Sequence, residues 1–460
     1  MQLLLVGAFP YPHHQGSQVY FQEQAIALRS AGVEVSLLTY ASDARGANPA
    51  SMEAGGGHRA AEHWRALDGF SHRTSPAWTS PTSLRSGPNW AKPLADLGLA
   101  MTLRDAVASS RPNDVYDAVL THNAEAALVA LHALPESRPP ILYCVHTLLE
   151  NELSSYLRGP KTHGVLSSVG ATFGATGALS RGLDRFGSGI DRWIARRVDG
   201  WLSLTQYSDR VMRQFSRAPG RLVPPPLRDP QHALEPLDPA EVARRHALRP
   251  GRFFLYSGNL DGYQELDLLA AAAVELAGRS DSPPPIVIAR HGSSHDTRRD
   301  ADPPARETRC QIGHPPTKAD LLAGRMARWA ESMPGIELLN VESASEMLAL
   351  LSAARASLVM RRTRGGFPIK LVNSLAVGTP VVAFHEREWG LTHERNSLIC
   401  APDRPVLALA DAIERLASDE VLAASLAVGA RSLYQERHLP EHVASKTLAL
   451  LEEIESFRPR

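Results

Sequence analysis

Arg361-Arg362-Thr363-Arg364-Gly365-Gly366-Phe367-Pro368-Ile369-Lys370-Leu371-Val372-Asn373 runs on into Ser374-Leu375-Ala376-Val377-Gly378-Thr379-Pro380-Val381-Val382. The apolar residues 356–360 just before it are short enough for a buried strand. Gly365-Gly366 lets the backbone approach a ligand, and Pro368 suits a first helical position. Gly378 stops the helix, and residues 379–384 begin another strand. Strand, glycine turn, helix, strand is the order of a parallel α/β sheet. A helix that starts at the carboxyl edge of such a sheet points its free N–H groups and positive dipole end at whatever binds there. Lys370 lies one turn in, and Arg361, Arg362 and Arg364 stand just before it. The chain has 44 arginines and only five lysines (Lys92, Lys161, Lys318, Lys370 and Lys446), so a lysine here suggests a need for a compact point charge. The stretch predicts an anion site, a diphosphate foremost. The competing reading is an ordinary Gly-Gly turn with arginines in solvent.

Outward from this motif, 460 residues exceed what one core usually serves and predict two domains of roughly 200 residues each. Lys plus Arg and Asp plus Glu balance at 49 each, which argues against a general nucleic-acid binder. Cys144, Cys310 and Cys400 are widely spaced with no CxxC, so neither a disulfide framework nor a zinc site is indicated and a reducing cytoplasm is expected. Residues 1–9 lack a basic leader and turn polar by His13, which reads as a first core strand and not a signal peptide. No apolar segment reaches membrane-spanning length. The nearest approach is the uncharged stretch 164–180, read as a loop or buried helix, or else as a surface that meets a lipid or another apolar acceptor.

The alternation continues on both sides. Residues 3–8 predict a strand, 17–31 a helix capped by Ser17 and ended by Gly32, and 33–39 the next strand. Gly7 and Gly16 lack the G-x-G-x-x-G spacing of a dinucleotide fold, so NAD or FAD has no signature here. Residues 41–93 read as a long polar excursion. Strands follow at 117–121, 141–145 and 200–204 with helices at 124–134 and 207–215, which puts His122 and His146 at carboxyl strand ends. Pro224-Pro225-Pro226 and residues 228–239 read as a linker. The second half repeats the pattern, with strands at 253–257, 286–289 and 336–339 and helices at 266–277 and 344–354. Residues 290–316 read as an inserted surface loop, and helices near 406–417, 420–436 and 440–454 close the chain.

These residues together resemble the retaining glycosyltransferases of the GT-B fold, the large family 4 group. The match is carried by Phe9-Pro10-Tyr11-Pro12 through Gly16, by residues 28–39, and by His122 and His146 after their strands. Tyr256-Ser257-Gly258-Asn259-Leu260-Asp261 leading to Leu266-Asp267-Leu268-Leu269, Gly366-Phe367 through Val382, Asn396-Ser397-Leu398-Ile399 and the closing helices complete it. The resemblance implies an α/β chain of two Rossmann-like domains facing a cleft. These are an acceptor-side domain at 1–223, a linker at 224–239, a nucleotide-sugar domain at 240–439, and a last helix at 440–460 returning to the first domain. It implies sugar transfer from a nucleoside diphosphate to a glycan, lipid or small-molecule acceptor, with no cofactor and no metal, and it leaves open a peripheral contact with a membrane.

Two departures stand out. Where the family has an Arg after the glycine and a Lys five positions on, holding the diphosphate, this chain has Asn259 and Gln264. The family's two glutamates, eight positions apart, become Gly365 and Asn373. One reading moves the clamp, so that Arg361, Arg362 and Lys370 take over the diphosphate. The other makes the chain an inactive pseudo-enzyme that binds a nucleotide or glycan. On the first reading Lys370 and Arg362 face the leaving group, and His122 lies beside the reacting sugar. The donor meets Gly16, Gly258, Asn259, Arg361 and the backbone of Gly366, Phe367, Pro368 and Ile369, with Asn373 on the ribose. Asn123, Glu125 and His146, with Glu150-Asn151-Glu152, are acceptor-side candidates, and His13 and His14 lie in the first loop. An epimerase would call for several cleft carboxylates, and a phosphorylase for a lysine set aside for pyridoxal phosphate. Neither is evident.

Overall fold

The structure, a computed structural model, describes residues 1–11, 16–41, 69–79, 92–108, 115–152, 173–230, 236–258, 264–291, 335–362, 366–385 and 387–457. Expectations at His13, His14, Asn259, Arg364, Gly365 and most of 290–316 lie outside these residues.

Alternating apolar strands and helices build a first layer from β1 (Gln2–Pro10), α1 (Gly16–Ser30), β2 (Glu34–Tyr40), β3 (Ser71–Thr74), α2 (Lys92–Ala108), β4 (Ala118–His122), α3 (Ala124–Ala133) and β5 (Ile141–Val145). It continues with α4 (Phe173–Ala195), β6 (Gly200–Ser203), α5 (Gln206–Phe215) and β7 (Gly220–Leu222). Among the described residues these strands form one seven-stranded sheet, ordered β3-β2-β1-β4-β5-β6-β7, with every pairing parallel. The strand interiors are continuous apolar runs because helices cover both faces. Ile141–Val145 is buried at every position.

The second layer comprises α6 (Pro239–Arg245), β8 (Phe254–Ser257), α7 (Leu266–Arg279), β9 (Ile286–His291), β10 (Ile336–Val341), α8 (Ala344–Ala353), β11 (Ala356–Val359), α9 (Ile369–Ala376), β12 (Val381–Ala383) and β13 (Ser397–Ile399). Its described strands make a six-stranded parallel sheet, β10-β9-β8-β11-β12-β13. In both sheets the order reverses once, between β1 and β4 in the first and between β8 and β11 in the second. The carboxyl ends at such a reversal form the crevice where open α/β sheets take ligands.

Three long helices follow: α10 (Pro405–Ser418), α11 (Glu420–Arg437) and α12 (Pro440–Phe457). α12 crosses back to the first sheet, where Val443, Leu450, Leu451 and Ile454 join the buried cluster of Leu28, Leu202 and Leu204. Arg221 at β7 pairs with Glu453. The segment after β7 is tied on both sides. The His438 imidazole donates from Nδ1 to the Pro225 carbonyl at 2.7 Å, and the Tyr434 hydroxyl donates to the Leu227 carbonyl at 2.9 Å. Arg431 reaches Asp229 at 2.6 Å, and Arg228 grips Glu23 of α1 at 2.9 Å.

The excursion at 41–93 contains a strand that its sequence hides. Ser71-His72-Arg73-Thr74 has no apolar alternation because β3 is an edge strand, exposed or half-exposed at every residue. Pro368 precedes the first helical residue and serves as the N-cap of α9, with φ −77° and ψ 105°, one position earlier than expected.

Candidate active site

At the reversal of the second sheet, β8 ends on Ser257-Gly258, and β11 leads into Arg361 and Arg362 and then into α9. Gly258 has φ 131°, a conformation that side-chain-bearing residues avoid, and the turn brings its backbone against Lys370. Lys370, half-buried on the first turn of α9, sets its Nζ 3.9 Å from the centre of the Tyr256 ring and donates to Gln264 Oε1 at 2.9 Å. Burial, with the Arg361 charge nearby, holds its pKa down to about 7. Arg361 donates to the Gly366 carbonyl at 3.2 Å, across the turn into the helix. Arg362 is gripped by Glu265, which accepts from its backbone N–H at 2.8 Å and from its guanidinium at 2.8 and 3.1 Å.

Phe367 is buried and packs edge-on against the His438 ring at 5.4 Å, anchoring the turn to the end of α11. Gly366 needs to be glycine: a Cβ there would run into the His146 carbonyl and the Thr147 hydroxyl. Gly16, at the start of α1, faces Ile369, whose Cγ1 lies 3.3 Å from where a glycine Cβ would be. Asn373 is half-buried on α9, one turn beyond Lys370.

At the reversal of the first sheet, β4 ends on His122, and His146 directly follows β5. His122 Nδ1 and His146 Nε2 stand 3.0 Å apart, so one imidazole donates to the other. His122 is fully buried beneath Phe21 and Tyr20, with ring centres at 4.8 and 5.3 Å, and its Nε2 has no partner among the described residues. Burial, with His146 adjoining, lowers the His122 pKa well below the usual imidazole value, and burial takes His146 down to about 3. Burial thus disfavours the charged form of both rings. Asn123 caps α3, its side-chain carbonyl accepting from the Ala126 N–H at 3.2 Å, and holds φ 74° and ψ 167°, a strained conformation for a residue with a side chain. Glu125 is engaged by Lys92; burial opposes the lysine's charge, but Glu125 together with Glu152 and Asp96 outweighs it and the Lys92 pKa is raised.

The two edges touch. Gly16 with Ile369 and Gly366 with His146 close one flank, and the Tyr207 N–H of α5 donates to Glu388 of the second half at 2.9 Å on another. Tyr207 also donates its hydroxyl to Glu150. Sequence reasoning missed Tyr256, Glu265, Tyr20 and Glu388. Tyr256 and Glu265 flank the glycine turn, so a search for groups that hold the clamp cations in place would have found them. Tyr20 and Glu388 carry no local signal. Among the described residues, no group of three or more His, Cys, Asp or Glu side chains is assembled to hold a metal ion.

Two family descriptions match the chain: the glycosyl transferase 4-like domain over residues 15–227 and glycosyl transferases group 1 over residues 310–419. No curated protein matches significantly over its sequence. Solved structures do match in fold. Sucrose-phosphate synthase from Thermosynechococcus elongatus aligns with a TM-score of 0.70 at 15% identity, covering 100% of both chains. HepE from Anabaena, solved with UDP-glucose, aligns at 0.63 and 14% identity over 99% of this chain and 100% of its own. A variant of TarM from S. aureus, solved with fondaparinux, alpha-GlcNAc-glycerol and UDP, aligns at 0.59 and 11% identity over 98% of this chain and 100% of its own. These likenesses show the GT-B fold.

Proposed function

We infer that this chain, which belongs to the glycosyltransferases with a 4-like and a group 1 domain in a GT-B fold, moves a sugar from a nucleoside diphosphate to an acceptor hydroxyl with retention at the anomeric carbon. The reading takes residues 1–223 as the acceptor side and 240–439 as the donor side. HepE is solved with UDP and with UDP-glucose, which supports a uridine nucleotide as the first donor to try.

The observation that carries the reading is the position of Lys370. Its amine lies at the sheet reversal, 2.9 Å from Gln264, at the start of a helix whose N–H groups face the same crevice. A diphosphate there would meet Lys370, Arg361 and the α9 N-terminus, with Arg362 held alongside by Glu265. The anomeric C–O bond to phosphate breaks while the acceptor oxygen bonds to the same face of the same carbon. The acceptor proton passes to the departing phosphate oxygen. Positioned cations and N–H dipoles stabilise the charge that develops, with no metal in the scheme. His122, fully buried beneath Phe21 and Tyr20, does not reach the crevice itself; in this reading it positions His146 through their 3.0 Å bond and is not an acid or base.

Lys370→Ala is expected to lower turnover about a hundred- to a thousandfold, the usual loss for one such stabiliser. Restoring Asn259→Arg and Gln264→Lys in that background should recover part of it. The measurement is mass analysis of transfer from nucleotide sugars to candidate acceptors. Near wild-type transfer by Lys370→Ala would put the diphosphate elsewhere. Tight nucleotide binding with no transfer to any acceptor would favour a binding-only protein, and loss of turnover on chelation would refute the metal-free scheme.

A further inference from the structure

The chain's overall charge is balanced, 49 against 49, but α4 does not share that balance. Arg181, Arg185, Arg192 and Arg196 recur at i, i+4, i+11 and i+15, a spacing that stacks them along one side of a helix and its final turn, and all four are exposed. None of them has a carboxylate partner among the described residues. Arg197 adds a fifth exposed guanidinium, and Arg210 of the neighbouring α5 is exposed as well. Of the two acids in this part of α4, Asp191 is fully buried and accepts the Leu149 and Glu150 N–H groups, each at 3.1 Å, and Asp184 is half-buried. Next to Arg185 in sequence, and roughly a quarter-turn around the helix from the arginine row, stands Phe186, 63% exposed, one of the most exposed large apolar side chains among the described residues.

Cations alone would suit any polyanion. An aromatic ring held in water beside them is what a bilayer interface accommodates, with guanidinium groups at the headgroup phosphates and the ring at the acyl boundary. From Arg181 to its end the helix runs roughly 22 Å at 1.5 Å per residue, and the exposed side of this part can lie along a surface. Among the described residues no helix is long and apolar enough to cross a membrane.

We propose that the outer face of α4 docks the protein on an anionic lipid bilayer, through Arg181, Arg185, Arg192 and Arg196 with Phe186 entering the interfacial layer. The opposite side of the same helix holds residues 149 and 150, three positions beyond His146. Docking therefore sets the lipid surface about one helix diameter, roughly 10 Å, from the acceptor edge of the crevice. The proposal does not depend on which sugar is transferred, and its test needs no turnover.

The full chain would be sedimented with vesicles of phosphatidylglycerol and phosphatidylcholine, and with vesicles of phosphatidylcholine alone. Binding is expected to the first and not the second, and to weaken with salt. Each arginine replaced by Gln should lower partitioning about fivefold, so the triple change at Arg181, Arg185 and Arg192 should lower it about a hundredfold. Phe186→Ser should weaken vesicle binding while leaving binding to soluble heparin unchanged. The positions are exposed, and equal melting temperatures would confirm that the variants fold. Equal binding to both vesicle types, or a triple variant that partitions like wild type, overturns the proposal. So does Phe186→Ser with unaltered vesicle binding, which would leave a surface for soluble polyanions.

Discussion

Lys370 has to present a positive charge in surroundings that disfavour one. Its folded pKa is lowered to about 7 by burial and by Arg361, so near neutrality a large share of the empty protein carries a neutral amine there. A bound diphosphate reverses the balance, because an anion within a few ångströms favours the charged form. Nucleoside diphosphate binding at pH 8 is therefore expected to take up a proton, and the uptake should shrink below pH 6, where Lys370 is already charged. Calorimetry in buffers of different ionisation enthalpy measures it directly. Lys370→Ala should bind without that uptake, and uptake that persists in the variant would assign the proton to another group. The meeting of Lys370 with Gln264 was not legible in the sequence. The two are 106 positions apart, and only the closing of the sheet brings them together.

At the scale of elements, the segment after β7 is built as a clasp. Tyr434 and His438 of α11 bond the carbonyls of Leu227 and Pro225, Arg431 holds Asp229, and Arg228 reaches the other way to Glu23 of α1. Tyr434→Phe deletes one of these bonds and should cost about 0.5–1.5 kcal/mol, read as a lowered melting temperature. Glu23→Ala should cost more, since it strands a half-buried guanidinium. Equal melting temperatures for Glu23→Ala and wild type would show that the clasp contributes nothing. The sequence announced stiff prolines here but not their partners. Elements read well where burial imposes a pattern, as at 141–145, and poorly where it does not. β3 is an edge with a polar sequence, and α4 is rich in glycine, so propensity alone does not announce either. The strand-end positions of His122 and His146 were legible, and their 3.0 Å contact was not.

For the whole molecule, three buried histidines set the response to acid. His122, His146 and His438 all have folded pKa values below that of a free imidazole, with His146 near 3 and His438 near 4, and burial is the leading cause in each. The unfolded chain takes up protons at these sites from about pH 6.5 downward, whereas the folded chain resists them. The stability that these three sites contribute should accordingly be level above pH 7 and fall as the pH drops from about 6.5 toward 4, while Asp191, pushed up to about 7 by burial, works in the opposite sense over the same range. Urea midpoints at pH 7.5 and 5 test this, and replacing His438 by Gln should flatten part of the slope. A His438→Gln variant whose midpoint falls between pH 7.5 and 5 as steeply as wild type would mean that His438 ionises in place.

The return of α12 to the first sheet also bears on how the chain is made. Leu450, Leu451 and Ile454 cover residues of a sheet whose last strand, β7, ends at Leu222. Synthesis at ordinary rates leaves roughly ten to forty seconds between the two emerging from the ribosome. Throughout that interval the nascent first half shows an uncovered apolar face around Leu28, Leu202 and Leu204. That face stays open to water, or to whatever else meets it, until translation reaches the helix that seals it.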